Sequence, residues 1–363
     1  MSVIDSALLQ IRQLQPYTPG KPVEELEREL GIANAVKLAS NENPLGCSPR
    51  VSQAIAAACK NIALYPDANA YYLKRQLAQK LAIKADQITI GNGSNDVLDL
   101  VARSFLDAGS EAIYSEYAFL VYPLVIQACG ASAKVAAAKS FGHDLDAMLE
   151  LINPKTRLIF IANPNNPTGT WLKRDELHHF LQKVPADVAV VIDEAYFEYV
   201  DEADYPDSLQ WLEHFPNLIV TRTFSKIYGL AGLRIGYAVS SAGLCDLFNR
   251  VRQPFNGNAL ALSAAMAALD DEDFVQQSRA NNLQGLVFLR GWCEQKGIEY
   301  IPSVGNFLSV SFADSCTQVC QSLMQRGVIT RPIANYGMAD YLRISIGTPA
   351  QLDRLVQALD DIL

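Results

Sequence analysis

The feature that most restricts the fold is a regular alternation of short apolar runs with amphipathic stretches in the middle of the chain. Several runs are rich in Val and Ile, which is typical of strands buried on both faces of a sheet. The stretches between them, such as 94–106 and 173–183, have helical periodicity. This order predicts an α/β unit with a mostly parallel sheet between residues 40 and 270. The runs lie at 87–90, 112–114, 158–162, 188–192, 218–221 and 235–239.

The pattern changes after residue 270. A long helical stretch at 274–296 precedes short apolar runs at 307–312 and 342–346, with a helix predicted between them and another at the C-terminus, 349–363. This order is typical of an α+β unit. We therefore predict three parts that pack tightly together. They are an N-terminal segment, 1–35, that packs with the smaller unit, a larger unit, 36–270, and the smaller unit itself, 271–363.

Composition and charge exclude several classes of protein. Half of the residues are apolar, so the chain can bury a large core. The net charge of −9 disfavours binding to nucleic acid or to an anionic membrane. The longest uncharged stretches, 117–133 and 253–269, have 17 residues each, and both contain Pro and Gly. A membrane-spanning helix needs ~20 mostly apolar residues, so we expect no membrane segment.

Cysteine and histidine usage points away from disulfides and metals. The seven cysteines are scattered, and none forms a Cys-x-x-Cys pair. The adjacent His178 and His179 fall in a predicted helix, where neighbours point in different directions. The N-terminus also lacks the basic-then-apolar order of a signal peptide. We therefore predict a cytoplasmic protein with reduced thiols and no bound metal.

Turn-forming residues follow two of the predicted strands. Ligands of α/β sheets bind beyond the carboxyl ends of the strands, so these positions matter for function. After the run 87–90, Gly91, Gly93 and Ser94 lead into a helix, whose N-terminus attracts phosphate. After the run 158–162, seven turn-forming residues follow at 163–169. Taken singly, each segment also fits an ordinary loop.

Three polar residues recur at the spacing of one strand–helix–strand unit. Asn166 precedes Asp193 by 27 residues, and Asp193 precedes Lys226 by 33, with Arg234 close behind. Singly, Asp193 also fits an exposed strand end and Lys226 a surface lysine. Together, however, they place an amide, a carboxylate, a lysine, an arginine and a phosphate-binding helix start at one cleft. Pyridoxal 5'-phosphate is a cofactor that requires all five.

Nine short motifs, spread over nearly the whole chain, carry a family resemblance. They are LASNENPLG at 38–46, YPD at 65–67, GNGS at 91–94, NPNNPTG at 163–169, DEAY at 193–196, RTFSK at 222–226, LAGLR at 230–234, GNF at 305–307 and RISIG at 343–347. With them the sequence resembles the aspartate-aminotransferase-like, fold type I, pyridoxal-phosphate enzymes. The resemblance implies an α/β fold with a mostly parallel seven-stranded sheet flanked by helices, plus a smaller α+β domain.

The resemblance also implies roles around the cofactor. Lys226 would bind its aldehyde and then act as general acid and base, while Asp193 would pair with the pyridine nitrogen. Tyr196 and Asn166 would hydrogen-bond the ring hydroxyl, and Tyr117 would stack on the ring. The implied phosphate contacts are Ser94, Asn95, Thr223, Ser225 and Arg234, together with Tyr65 from the neighbouring subunit of a homodimer.

The implied substrate contacts are Arg343, assisted by Arg331 and Tyr17, together with Asn43 and Asn166. A guanidinium fork accepts either a phosphate or a carboxylate in bidentate fashion. The first motif and RTFSK are typical of the histidinol-phosphate branch of the family. They imply interconversion of histidinol phosphate and 2-oxoglutarate with imidazole-acetol phosphate and glutamate, in histidine biosynthesis. The alternatives are an aromatic aminotransferase, a phosphothreonine-type decarboxylase or a cofactor-binding sensor domain.

Overall fold

The computed structural model describes residues 2–16 and 20–363. Fifteen strands and thirteen α-helices lie in these two ranges. The strands are β1 (Val36–Lys37), β2 (Ile88–Gly91), β3 (Glu111–Ser115), β4 (Ser132–Ala136), β5 (Ala138–Lys139), β6 (Gly142–His143), β7 (Thr156–Ala162), β8 (Ala189–Asp193), β9 (Leu218–Thr223), β10 (Gly236–Ser240), β11 (Tyr300–Ile301), β12 (Phe307–Ser311), β13 (Val328–Ile329), β14 (Arg331–Ile333) and β15 (Met338–Ser345). The helices are α1 (Leu9–Arg12), α2 (Val23–Leu30), α3 (Pro49–Ala58), α4 (Tyr71–Leu81), α5 (Ser94–Phe105), α6 (Val121–Ala128), α7 (Leu145–Glu150), α8 (Arg174–Lys183), α9 (Ala242–Val251), α10 (Ala259–Leu269), α11 (Glu272–Lys296), α12 (Cys316–Gln325) and α13 (Pro349–Asp360).

The larger unit is built on a seven-stranded sheet with the order β2-β10-β9-β8-β7-β3-β4. Only β10 runs antiparallel to its neighbours, so the predicted mostly parallel sheet is confirmed. All six apolar runs form strands of this sheet. The seventh strand, β4, had no apolar run because it lies at the edge of the sheet with three of its five residues exposed.

The smaller unit contains a four-stranded antiparallel sheet with the order β11-β12-β15-β14. Its two longest strands, β12 and β15, coincide with the predicted runs. The N-terminal segment divides between the units. Leu26 of α2 belongs to a small apolar cluster with Ile329, whereas the carbonyl of Gln10 in α1 accepts a hydrogen bond from Gln127 of the larger unit. None of the helices in the described ranges is both long and apolar enough to cross a bilayer.

The two units share secondary structure at both of their junctions. The strand β1 pairs with β13, and Leu38 belongs to the smaller core, although both lie after residue 35. The helix α11 contributes Val275 to the larger core and Leu289 to the smaller one. A unit boundary therefore lies inside this helix rather than at its start. The carboxyl ends of β7, β8 and β9 face an opening that residues of the smaller sheet also line.

A buried ion pair joins β8 and β9 immediately behind that opening. Arg222 donates from Nε and Nη2 to Oε2 of Glu194, at 2.9 and 2.7 Å, and from Nη2 to Asp207 at 2.9 Å. The side chains of Arg222 and Glu194 are 3% and 0% exposed. The guanidinium also lies 3.6 Å from the ring centroid of Phe197. Glu194 follows Asp193, so this pair stabilises the strand end that carries the predicted catalytic carboxylate.

Substitution of Glu194 by Gln is expected to lower the free energy of unfolding by about 3 kcal/mol, because it leaves a buried guanidinium with one charged partner. Urea unfolding would measure the change. The matched control is Asp246→Asn, which removes the exposed pair with Arg250 and is expected to cost less than about 1 kcal/mol. Equal losses in the two variants would show that the buried pair adds no stability beyond that of a surface pair.

Candidate active site

The ends of β7, β8 and β9, the start of α5 and the strand β15 surround a cavity of about 200 Å³. The predicted residues come together here from distant parts of the chain. Eleven of them line the cavity: Ser94, Asn95, Asn166, Asp193, Tyr196, Thr223, Ser225, Lys226, Arg234, Arg331 and Arg343. Asn166, Asp193 and Lys226, which were expected to face one cleft, all line this cavity.

Two of the predicted residues, Asn43 and Tyr65, lie outside the lining of the cavity. The Asn43 amide donates to the carbonyl of Ile227 and to Ser278, at 2.7 and 2.8 Å, so it supports the segment after Lys226. Tyr65 is 83% exposed and stacks on Phe255 outside the cavity. Tyr17 falls outside the described residues. The predicted contacts of these three residues with ligands stay predictions.

The predicted stacking residue does not line the cavity. Tyr117 has a left-handed backbone with φ of 57°, and its ring lies 5.8 Å from that of Phe141, outside the cavity lining. Phe119 lines the cavity instead. The unusual φ sets the direction of the Tyr117 side chain, and a motif does not reveal backbone conformation. The aromatic ring that lines the cavity therefore lies two residues after the predicted one, and the stacking contact stays a prediction.

Asp193 is buried at the end of β8 and is held by two neutral donors. The hydroxyls of Tyr122 and Thr221 donate to its two oxygens, each at 2.9 Å. Burial raises the pKa of Asp193, since the carboxylate is removed from water. A cationic ligand group at this position would offset that burial. Tyr122 was not predicted, although it is a hydroxyl inside the uncharged stretch 117–133.

Lys226 faces the cavity from the loop after β9. Its Nζ donates to the carbonyl of Ser40 at 3.3 Å and lies 5.6 Å from the ring centroid of Tyr196. Burial, with the positive charges of Arg343 and Arg234, lowers the pKa of Lys226 to about 8. Near neutral pH the amine therefore loses its proton far more readily than an ordinary lysine, which suits a nucleophile or a base.

The start of α5 and the Arg234 side chain form a small cradle. The first N–H groups of a helix have no partner within it, so they can bind an anion. A Cβ at Gly93 would lie 2.4 Å from Nη2 of Arg234, and one at Gly236 would lie 2.5 Å from the backbone nitrogen of Ser94. Arg234 also donates to Ser225 at 3.3 Å. The two glycines therefore allow these donors to converge, and the cradle fits a phosphate group.

Arg343 enters the cavity from the smaller unit and is only 7% exposed. It donates to the side-chain oxygen of Asn166 at 2.6 Å and to the carbonyl of Ala39 at 2.8 Å. Its Nε is buried without a partner. The described lining contains four cationic side chains, those of Lys226, Arg234, Arg331 and Arg343, but only one carboxylate. The cavity therefore favours anions although the chain as a whole is acidic.

A family model described as aminotransferase class I and II matches residues 33–359. The chain belongs to this family. Histidinol-phosphate aminotransferase 2 of Pseudomonas aeruginosa is 54% identical over 355 residues, which cover 97% of this aminotransferase and 96% of that relative. The predicted family is confirmed.

Solved structures support the same conclusion. The histidinol-phosphate aminotransferase from Sinorhizobium meliloti, in complex with pyridoxal-5'-phosphate, has a TM-score of 0.88 and 28% identity, covering 98% of this chain and 96% of that one. Aspartate aminotransferase from Thermus thermophilus with maleate has a TM-score of 0.84 and 18% identity, covering 98% of each chain. The second likeness concerns the fold alone, and the predicted aspartate-aminotransferase-like fold is confirmed.

Several cavity residues of this aminotransferase escaped prediction. Ser40 and Asn41 lie in the first motif, from which only Asn43 was predicted as a site residue. Tyr336 lies in the segment between β14 and β15, where no apolar pattern marks it. In the described ranges no three His, Cys, Asp or Glu side chains form a group able to hold a metal ion.

Proposed function

We propose that this aminotransferase uses pyridoxal phosphate to interconvert histidinol phosphate and 2-oxoglutarate with imidazole-acetol phosphate and glutamate, in histidine biosynthesis. The observation that carries the proposal is the buried Arg343 guanidinium, whose Nε has no partner, in the same cavity as Lys226 and the anion cradle. The printed name of the Pseudomonas aeruginosa relative and the cofactor in the Sinorhizobium meliloti structure support it.

The residues present fit the cofactor. When bound, pyridoxal phosphate supplies an aldehyde that accepts amino groups and a ring that draws electrons from the reacting carbon. The cradle of Ser94, Ser225 and Arg234 would hold the phosphate. Asp193 would keep the ring nitrogen protonated, since its buried carboxylate has two neutral donors and faces the cavity. Phe119 would cover one face of the ring.

Lys226 is the residue that moves the proton. Its amine would first hold the cofactor aldehyde and, once the substrate amine has replaced it, would take a proton from the carbon that bears the amino group. The same Nζ would then deliver the proton to the cofactor carbon. The lowered pKa, about 8, makes both directions of transfer accessible near neutral pH.

Arg343 selects the substrate through its charge. One half-reaction presents a phosphate monoester and the other presents carboxylates, and a guanidinium fork binds both. The hydrogen bond from Arg343 also orients the side-chain amide of Asn166. Because Oδ1 of Asn166 accepts this bond, its Nδ2 is left to donate to an acceptor in the cavity. Asn166 and Tyr196 would thus both donate to the ring hydroxyl oxygen.

A substrate profile tests the proposed specificity. With 2-oxoglutarate as acceptor, kcat/KM for histidinol phosphate is expected to exceed that for phenylalanine by on the order of a hundredfold, because a phosphate group carries more negative charge than the single carboxylate of phenylalanine and pairs more strongly with the buried Arg343. A preference for phenylalanine would favour the aromatic aminotransferase. Release of carbon dioxide from a phosphorylated amino acid would favour the decarboxylase, and cofactor binding without turnover of either kind would favour a sensor.

Gly93→Ala is expected to weaken cofactor binding about tenfold. The added Cβ would displace Nη2 of Arg234, and φ of 86° is strained for any residue with a Cβ. Titration of the apoenzyme with pyridoxal phosphate would measure the Kd. Gly243→Ala is the matched control, since a Cβ there meets nothing within 4 Å. An unchanged Kd in Gly93→Ala would place the phosphate elsewhere.

We further propose a cytoplasmic homodimer in which Tyr65 reaches the cofactor phosphate of the second subunit. Tyr65 is too exposed to serve its own cavity, and its ring stacks on the exposed ring of Phe255. Ile62 at 63%, Leu64 at 68% and Tyr72 at 69% are exposed apolar residues near Tyr65 in the sequence. Several exposed apolar side chains of this kind are typical of an interaction surface. A second copy of the chain would cover it.

Mixing two defective variants tests this arrangement. Tyr65→Ala is expected to bind the cofactor about tenfold more weakly, through loss of one phosphate contact. Lys226→Ala chains carry an intact Tyr65. If Tyr65 acts across the interface, each mixed dimer contains one complete site, so mixing would restore activity above that of Tyr65→Ala alone. Activity that stays at the Tyr65→Ala level in confirmed mixed dimers would contradict the proposed contact of Tyr65 with the cofactor of the other subunit.

A further inference from the structure

Asn41 lies between the two units, with its side chain in contact with both. It is 1% exposed and has a left-handed backbone with φ of 55°. Its side-chain Nδ2 donates to the hydroxyl of Tyr196 at 3.0 Å, and its carbonyl accepts from Asn306 at 3.0 Å. Asparagine tolerates this backbone conformation better than most residues, but the conformation still needs support from its surroundings.

Ser345 holds the Asn41 amide in one orientation. The backbone N–H of Asn41 donates to Oγ of Ser345 at 2.8 Å, so this hydroxyl is already an acceptor. The hydroxyl then donates to Oδ1 of Asn41 at 2.9 Å. With Oδ1 occupied, the amide presents N–H, and not oxygen, to Tyr196. Ser345 is two residues from Arg343 on β15, so the strand that supplies the substrate arginine also orients Asn41.

The direction of this hydrogen bond determines what Tyr196 can do. A tyrosine hydroxyl has a single hydrogen. When its oxygen accepts from Asn41, that hydrogen is available for an acceptor in the cavity. Burial raises the pKa of Tyr196 to about 12, so the hydroxyl keeps its proton at neutral pH.

We propose that Asn41 is a positioning residue that makes Tyr196 a hydrogen-bond donor to the ring oxygen of the cofactor. The inference rests on the proposed use of pyridoxal phosphate. A donor at this oxygen stabilises its negative form, and therefore lowers the pH at which the bound cofactor gives up its proton. Asn41 thus acts on the cofactor through Tyr196, without touching the reacting atoms.

Asn41→Asp tests the direction of the bond with nearly the same shape. A carboxylate can only accept, so it would draw the Tyr196 hydrogen away from the cofactor. The absorption of the holoenzyme, followed against pH, is expected to change at a midpoint about one pH unit higher than in the wild type. Asn41→Gly, which suits the positive φ, removes the donor without adding an acceptor and is expected to shift the midpoint less.

Tyr196→Phe separates positioning from a general structural effect. In that background Asn41→Gly, which adds no charge, is expected to cause no further shift, whereas a structural role would move the midpoint in both backgrounds. A wild-type midpoint in Asn41→Asp, or an Asn41→Gly shift that persists with Tyr196→Phe, overturns the inference. A wild-type protein that takes up no pyridoxal phosphate would show no such absorption at all, which would overturn the proposed function and this inference with it.

Discussion

Lys226→Ala is expected to reduce amino-group transfer by about 10⁴-fold or more. The substitution removes both the amine that would hold the cofactor and the group that would move the proton, and no other lysine lines the described cavity. Borohydride reduction followed by peptide mass analysis would show the loss directly. Wild-type protein is expected to carry the reduced cofactor on the peptide that contains Lys226, and the variant on none.

Lys173→Ala is the matched control, because the Lys173 side chain is exposed and does not line the cavity. Its activity and its labelled peptide should match those of the wild type. A covalent label that persists in Lys226→Ala would assign the aldehyde to another lysine. Cofactor absorption in both variants would show whether binding survives the loss of the amine, which separates a chemical defect from a binding defect.

Arg343→Ala is expected to lower kcat/KM for histidinol phosphate and for glutamate together, each by about a hundredfold or more. Removal of a buried charged partner leaves an anion without its main contact. The variant also frees the oxygen of Asn166 from its bond to Nη1. Arg343→Lys keeps the charge but loses the fork, so it should recover only part of the activity.

Half-reactions measured separately would show whether one arginine serves both substrates. Conversion of the cofactor by histidinol phosphate alone and by glutamate alone should slow to a similar extent. Loss of only one half-reaction would show that the two anions bind at different places. Arg326→Ala is the matched control, since Arg326 is an exposed arginine of the same unit, and it should leave both half-reactions unchanged.

The central sheet was predictable because its strands are buried on both faces. In runs such as 158–162 every residue is buried, so no polar residue interrupts the apolar pattern that predicts a strand. The edge strand β4 lacks that signal, since half-exposed strands tolerate polar residues. The unit boundary was harder to place. The helix α11 is continuous from Glu272 to Lys296 and packs on both cores, and periodicity within a helix does not show which core each turn meets.

The site residues also divide into those that the sequence predicts and those that it does not. Asn166, Asp193 and Lys226 follow buried strands at regular spacing, so topology brings them together. Asn41 and Ser40 lie in a segment without periodicity, and their contacts depend on long-range pairing with Ser345 and Lys226. The choice between Tyr117 and Phe119 depends on one positive φ, which residue type alone does not indicate.

The division of the cavity between two sheets has a consequence for how such an enzyme can diverge. The groups proposed for the cofactor chemistry lie at or just after the ends of β8 and β9 and at the start of α5, whereas Arg331 and Arg343 lie on β14 and β15. Substitutions in the smaller sheet can therefore alter the accepted substrate while the larger sheet keeps its chemistry. Two selective pressures, on reaction and on recognition, act on largely separate stretches of the gene.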